Sequence, residues 1–338
     1  MKPGSNGLLI EIVVGLVDFT IYFHKCAGSH SDPQPCMLYF VFYDEKIKMK
    51  NKIYPFYFSV GAIILYSLFM VIPGLLGFYL SFTDWNRYSS EIHFIGFQNF
   101  ALIFSKQNYW DSISNTIIFT VVTIALKTVI ALVLALLLSK GLKRFFNFHR
   151  VVIYLPAIIP MIVVGIVFRS ILHPATGVLN EFLRGIGLDF LTQQWLTNPD
   201  LALYSVIGVD TWKGIGYIMV ILIAGLQVIP AEYYEAAQLD GATQWDEFWQ
   251  ITLPLLMPTL TVTTMLNLLY GLKVFDVVWV LTNGGPGYAT ETVYTVVFKE
   301  FSKGRYGVST ALSTLLFVVM SICGYWLLKT MHAKELET

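Results

Sequence analysis

The chain has 338 residues, 56% of them hydrophobic and only 13% charged, and its 22 basic and 22 acidic side chains balance to a net charge of zero. Soluble domains carry about twice that share of charge, so the composition is that of a membrane protein. With no basic surplus to neutralise phosphates, a nucleic-acid partner held by bulk electrostatics is excluded. Cys26, Cys36 and Cys323 form no CxxC, and the six histidines are scattered, so neither a disulfide framework nor a zinc site is signalled.

Residues 1–48 differ from the rest. The apolar run LLIEIVVGLVDFTIYF is short for a span and contains Glu11 and Asp18, each costly at mid-membrane. No basic leader runs into a small-residue cleavage site. Met49, by contrast, opens MKNKIYPFYFSVGAIILYSLF, a basic start leading straight into a span. Residues 1–48 are therefore expected to be an extension of unclear role, and 49–338 the membrane domain.

Crossing the hydrocarbon takes about 20 helical residues. Six segments meet that length: 54–82, 114–138, 150–172, 202–228, 255–281 and 308–330. None alternates strictly, and backbone groups in lipid must pair within their own segment, so all six are expected to be helices. The fold class is all-α: a six-helix bundle in the bilayer. Orientation follows from Lys and Arg near the span ends. Lys46, Lys48, Lys50 and Lys52 precede the first span; Lys140, Lys143, Arg144 and Arg150 fill the second connection; Lys329 and Lys334 follow the sixth. The opposite loops hold fewer: Arg87, Lys106, Arg184, Lys299, Lys303 and Arg305. Both ends of the six-span core are thus expected on the cytoplasmic side, as is the gap at 229–254.

That gap reads AEYYEAAQLDGATQWDEFWQITLP and holds Glu232, Glu235, Asp240, Asp246 and Glu247 with no Lys or Arg. Pro230 suits a first helical position, AEYYEAAQL continues with good helix formers, and Gly241 suits the left-handed residue past the helix end. Thr243 can cap a second short helix, with Asp246 three residues on. The expected element is a helix, a glycine bend and a second helix across the membrane mouth. Its acids are either plain solvated surface or, beside the small Ala236 and Ala237, a knob on which another protein docks.

Spacing favours docking. Glu235, Ala236, Ala237, then Gly241 after three residues, then Ile251, Leu253 and Pro254 after nine more, reproduce the E-A-A, G, I-x-L-P pattern. This resembles the cytoplasmic signature of the membrane subunits of binding-protein-dependent ABC importers. The resemblance implies that the segment is a coupling helix seated in a partner ATPase, with acids and alanines meeting that surface and Glu235 the main anchor. FYLSFTDWN (78–86), FIGFQNFALIF (94–104) and LTNGGPGYATET (281–292) resemble carbohydrate-type permeases, and the likeness covers roughly residues 50 to 335. It implies a bacterial or archaeal cytoplasmic membrane, a second homologous permease subunit, two ATPase subunits, an extracytoplasmic solute-binding protein and a carbohydrate-type solute. No GxxxxGK[ST] is present, so the chain binds no cofactor of its own; ATP and Mg belong to the implied ATPase, and the chain is no enzyme.

Charges inside spans are functional candidates. Asp210 and Lys213 lie three apart in the fourth span, Lys273 and Asp276 three apart in the fifth, so each pair can neutralise itself on one helix face. Trp212, Tyr217, Tyr270, Phe275 and Trp279 lie close by, and aromatic faces beside hydrogen-bonding groups suit a sugar. These nine residues are either a solute pathway or internal bridges and interfacial aromatics. Lys127 and Arg169 are expected to snorkel. Two rivals remain open: an ion-coupled secondary transporter of a small polar solute, for which Asp210 and Asp276 are the available carboxylates, and a membrane scaffold that docks a cytoplasmic partner.

Overall fold

The computed structural model describes residues 57–141 and 145–335; residues 1–48 lie outside them. The chain divides into two units, Met1–Leu65 and Tyr66–Thr338. Of the first unit only 57–65 is described, and it is helical.

Among the described residues every element is helical and the only bridge is an isolated Thr83–Phe94 pair. In order, α1 is Tyr57–Tyr66, followed after a π-helical turn by α2 (Ile72–Leu80), α3 (Gln98–Ser105) and α4 (Gln107–Leu136). Next come α5 (Phe146–Ile158), α6 (Met161–Ile171), α7 (Val178–Gly185) and α8 (Pro199–Val228). The remainder is α9 (Ala231–Leu239), α10 (Gln244–Glu247), α11 (Leu253–Leu272), α12 (Asp276–Leu281), α13 (Val293–Ser302) and α14 (Tyr306–Glu335). Helices satisfy their own backbone, which is why apolar segments of this length take that form in lipid. Among the described residues five helical runs are long and apolar enough to cross a membrane: Ser59–Leu80, Gln107–Ser139, Pro199–Val228, Gln244–Leu272 (whose apolar part is α11) and Tyr306–Leu327.

Two segments depart from the expected boundaries. The third, expected as one helix over 150–172, is the pair α5 and α6 bent by 93°. Ile159 is extended (φ −65°, ψ 130°) because the ring of Pro160 disfavours helical geometry in the residue before it, and Pro160 has no N–H to continue the ladder. The fifth, expected over 255–281, stops at Leu272. Lys273 and Phe275 leave helical geometry, and α12 restarts with Asp276 in its first turn, where the helix dipole favours a carboxylate.

Helix α8 is the hub. Its Val206 and Ile207 pack with Phe119 of α4 and with Val277 and Val278 of α12, while its Met219 and Leu222 pack with Ala131 and Ala135 of α4 and Leu256 of α11. A third cluster joins Ile103 of α3, Val293 of α13 and Leu312 of α14. Lipid is as apolar as leucine, so close fit rather than burial holds such helices together, and the alanines of α4 supply it. Three buried hydroxyls of α4 are satisfied within the helix: Thr116, Thr120 and Thr123 each donate to the carbonyl one turn back. The turn before α14 is clamped by Arg305, whose Nε lies 2.6 Å from Glu300 Oε2 and whose Nη2 donates to Oε1 at 2.8 Å.

Candidate functional site

The acidic segment folds as its residues dictate. Pro230 sits one position before α9, as its cap. At the other end Gly241 is left-handed (φ +81°), with its N–H on Gln238 O at 3.1 Å and Ala242 N–H on Ala237 O at 2.9 Å. This is the paired closure that a glycine permits just past a helix. Thr243 then starts α10 with a full capping box: Asp246 N donates to Thr243 Oγ1 (3.3 Å) and Thr243 N donates to Asp246 Oδ2 (3.0 Å). Hydrogen bonds from the Thr243 hydroxyl and N–H hold the Asp246 carboxyl below the usual carboxylate range.

The five carboxylates therefore separate into two groups. Asp246 serves the capping box, and Glu247 is buried, accepting from Gln238 Nε2 at 3.0 Å. Only Glu232, Glu235 and Asp240 stand exposed, with Ala236 exposed and Ala237 half-buried beside them. Ile251, Leu253 and Pro254 are half-buried in the π-helical corner Phe248–Thr252 and the start of α11. Tyr234 Oη meets Thr252 Oγ1 at 3.0 Å across that corner. The motif's last three residues thus shape the bend, while its first three face outward. Sequence reasoning missed the apolar half of this surface: Tyr233, Leu239 (89% exposed), Trp245 and Trp249 stand out beside the acids.

In the bundle interior the expected pairs give way to others. Asp210 pairs not with Lys213 but with Lys127, Nζ to Oδ2 2.6 Å, and Tyr270 Oη donates to Asp210 Oδ1 at 2.7 Å. Lys127 does not snorkel: its amine is buried and lies 4.7 Å from the centre of the Tyr270 ring. The signal that could have found it is that Lys127 is the only charged residue between 114 and 138. Lys213 reaches the other way, donating to Ala157 O at 3.0 Å, a carbonyl left over at the end of α5 beside the break. Among the described residues no ion pair joins Lys273 to Asp276, because the helix that would align them is interrupted between the two.

The aromatic candidates fall in separate places. Trp212 packs on Phe168 (ring centres 5.0 Å apart), and Tyr217 is exposed one helical turn beyond Lys213. Phe275 stacks on Trp279 at 5.2 Å and on its other sides meets Phe298 and Tyr294. Arg169, in the last turn of α6, lines a cavity of about 300 Å³ with His173, Thr197 and Pro286. A second cavity, of about 680 Å³, is lined by Pro174, Asn180, Arg184, Gln193, Gln194 and Asn198 among others. The Gly284–Gly287 loop beside the first is anchored. Asn115 Nδ2 donates to Tyr288 O (3.2 Å) and Glu291 O (3.0 Å), the Thr282 and Thr290 hydroxyls meet at 2.7 Å, and Lys299 pairs with Glu291. Among the described residues no three His, Cys, Asp or Glu side chains gather closely enough to hold a metal ion.

Residues 127–334 match the family described as binding-protein-dependent transport system inner membrane component. The chain is 36% identical over 272 residues to the probable ABC transporter permease protein YurN of Bacillus subtilis strain 168, covering 80% of this chain and 93% of that one. It is 33% identical to the trehalose/maltose transport system permease protein MalF of Thermococcus litoralis, covering 75% and 85%. Among solved structures, a chain of a bacterial alginate ABC transporter in complex with an alginate pentasaccharide-bound periplasmic protein superposes with a TM-score of 0.73 at 25% identity, covering 82% of this chain and 94% of that one.

Proposed function

Because this chain belongs to the family of inner membrane components of binding-protein-dependent transport systems, we propose that it forms the pathway for a sugar or sugar-related solute in an ATP-driven importer. It is a permease subunit, inserted in the membrane through its apolar helices. The solute class rests on a relative named for trehalose/maltose transport and on a structural neighbour named for alginate. Working partners are a second, homologous permease, two ATPase subunits that bind ATP and Mg, and an extracytoplasmic binding protein that delivers the solute. A cytoplasmic position for the acidic corner and for both ends of the core is supported by the denser Lys and Arg at 140–150 and by Lys329 and Lys334 near the end of α14.

One observation carries the mechanism: α9 and α10 form a corner locked by Gly241 closure, a capping box and the buried Glu247, and it presents three acids among exposed aromatic side chains. Rigid corners transmit force, and the mixed surface suits a protein groove: apolar side chains give area, and Glu232, Glu235 and Asp240 give register. Closure of the ATPases on ATP would move this corner, and α11 and α8, which continue from it, would carry the displacement into the bundle. Solute entering from the binding protein would favour the closed ATPases in return, as linkage requires. Asp210, Trp212, Lys213, Tyr217, Tyr270, Lys273, Phe275, Asp276 and Trp279 remain the proposed solute pathway, with Asp210 itself buried. Within it Asp210 fixes Tyr270, and Lys213 props the broken third span.

The test is uptake by vesicles holding this chain together with a partner ATPase and a second permease. Uptake that needs ATP, the ATPase and the binding protein is expected; uptake by this chain alone, driven by an ion gradient, would establish the secondary carrier instead.

A further inference from the structure

Helix α7, in the loop after α6, carries a side with nothing on it. Val178, Phe182 and Ile186 recur at four-residue spacing, which stacks them in one row, and they are 61%, 62% and 52% exposed. Phe190, at 74%, and Leu191 extend the apolar surface past the helix end. Asn180 and Arg184 occupy the opposite side. Asn180 is buried: its Nδ2 donates to Pro174 O (3.0 Å) and Gln193 O (2.9 Å), and its Oδ1 accepts from Trp195 Nε1 (2.8 Å). Arg184 lines the 680 Å³ polar cavity with it. One side of α7 is thus fastened to its own loop, which holds the apolar row facing away from it.

A contiguous apolar surface marks an interaction site. Its position says what covers it. Only residues 172–177 separate α6 from α7, a reach of at most about 20 Å, and Gly177 N–H on His173 O (3.0 Å) with Asn180 on Pro174 O folds that connection back on itself. Helix α7 is therefore held level with the end of a membrane-crossing segment. Helix α6 itself exposes Ile162, Val163, Ile166 and Val167 and belongs to a bent pair apolar enough for the membrane, so the apolar row of α7 follows directly on an apolar surface suited to acyl chains.

We infer that α7 is an interfacial anchor: it lies along the bilayer surface with Val178, Phe182, Ile186 and Phe190 sunk into the boundary between headgroups and acyl chains. The occupant is phospholipid, recognised through apolar area, and the opposite side stays fastened to its own loop through Asn180, with Arg184 on the polar cavity. A helix apolar on one side and polar on the other binds such a boundary in this way, at a depth of about 5 to 10 Å. The anchor fixes the height of the polar cavity relative to the membrane. None of this depends on the solute or on ATP.

Single cysteines at positions 178, 182, 190 and 194, in a chain whose Cys26, Cys36 and Cys323 are serine, would be labelled with an environment-sensitive fluorophore in the assembled complex in phosphatidylcholine vesicles. Brominated acyl chains should quench labels at 178, 182 and 190 about threefold or more above the label at 194, with aqueous iodide giving the reverse order, as burial in the boundary requires. Iodide quenching at 182 and 190 equal to that at 194 would overturn the inference. Shielding from iodide without response to brominated chains would also overturn it, since a protein would then cover the row. An importer that fails to transport leaves these quenching outcomes readable, so the two readings fail separately.

Discussion

Lys127 Nζ and Asp210 Oδ2 lie 2.6 Å apart, joining α4 to α8 through side chains only 4% and 2% exposed. A buried pair of this kind gains little over an apolar pair of equal volume, but removing one member strands the other charge at a cost of about 3 to 5 kcal/mol. Asp210→Asn and Lys127→Met should therefore each sharply lower the thermal midpoint of the detergent-solubilised complex. The double variant Lys127→Met with Asp210→Asn should recover most of the loss. Additive losses in the double would show that the two charges do not support one another.

Tyr270 completes the arrangement, its hydroxyl on Asp210 and its ring over the Lys127 amine. Tyr270→Phe keeps the ring and removes one hydrogen bond to a charged group, worth about 1.5 to 3 kcal/mol. The expected thermal loss is smaller than that of Asp210→Asn. If Tyr270 also faces solute, Tyr270→Leu should raise the solute concentration needed for half-maximal uptake while Tyr270→Phe leaves it nearly unchanged.

The acids at the corner should separate by experiment as they do in space. Glu235→Lys alters an exposed group, so thermal stability should hold while ATPase association and uptake fall. Glu247→Ala removes a buried acceptor of Gln238, so stability should fall first. Stable, fully associated and active Glu235→Lys complexes would remove Glu235 from its role.

Gly216 of α8 lies against α5 so closely that an added Cβ would sit 2.3 Å from Ile153 O and 2.7 Å from Tyr154 Cα. Both are backbone atoms and cannot step aside, so Gly216→Ala must push the helices apart. Overpacking of this kind costs about 1 to 3 kcal/mol, read as a lowered thermal midpoint. Gly208→Ala, on the same helix with nothing within 4 Å of its added Cβ, should leave the midpoint unchanged or higher.

Much of this was legible because lipid leaves a backbone few choices: apolar length predicted helices, and Gly241 and Thr243 announced the bend and the cap through their own local chemistry. Pairing was not legible in the same way. Asp210 has Lys213 three residues away, and the sequence offers no reason to prefer Lys127 on another helix; that choice is made by how α4 and α8 pack. The break at Pro160 and the restart at Asp276 were visible as residues but hidden inside continuous apolar runs. Division of the five acids between surface and interior likewise depended on where Gln238 falls relative to Glu247, which is a property of the folded corner.

The right-angle break at Ile159 and Pro160 gives the bent pair α5 and α6 two sets of contacts. Its first half is seated on α8 through Gly216 and strutted by Lys213 against Ala157, while its second half packs on α12. A shift of α8 relative to α12 would reach the two halves unequally, with the difference taken up by the torsions of a single joint at Ile159 and Pro160. Under such a shift the bent pair would act less as a rod than as a hinge.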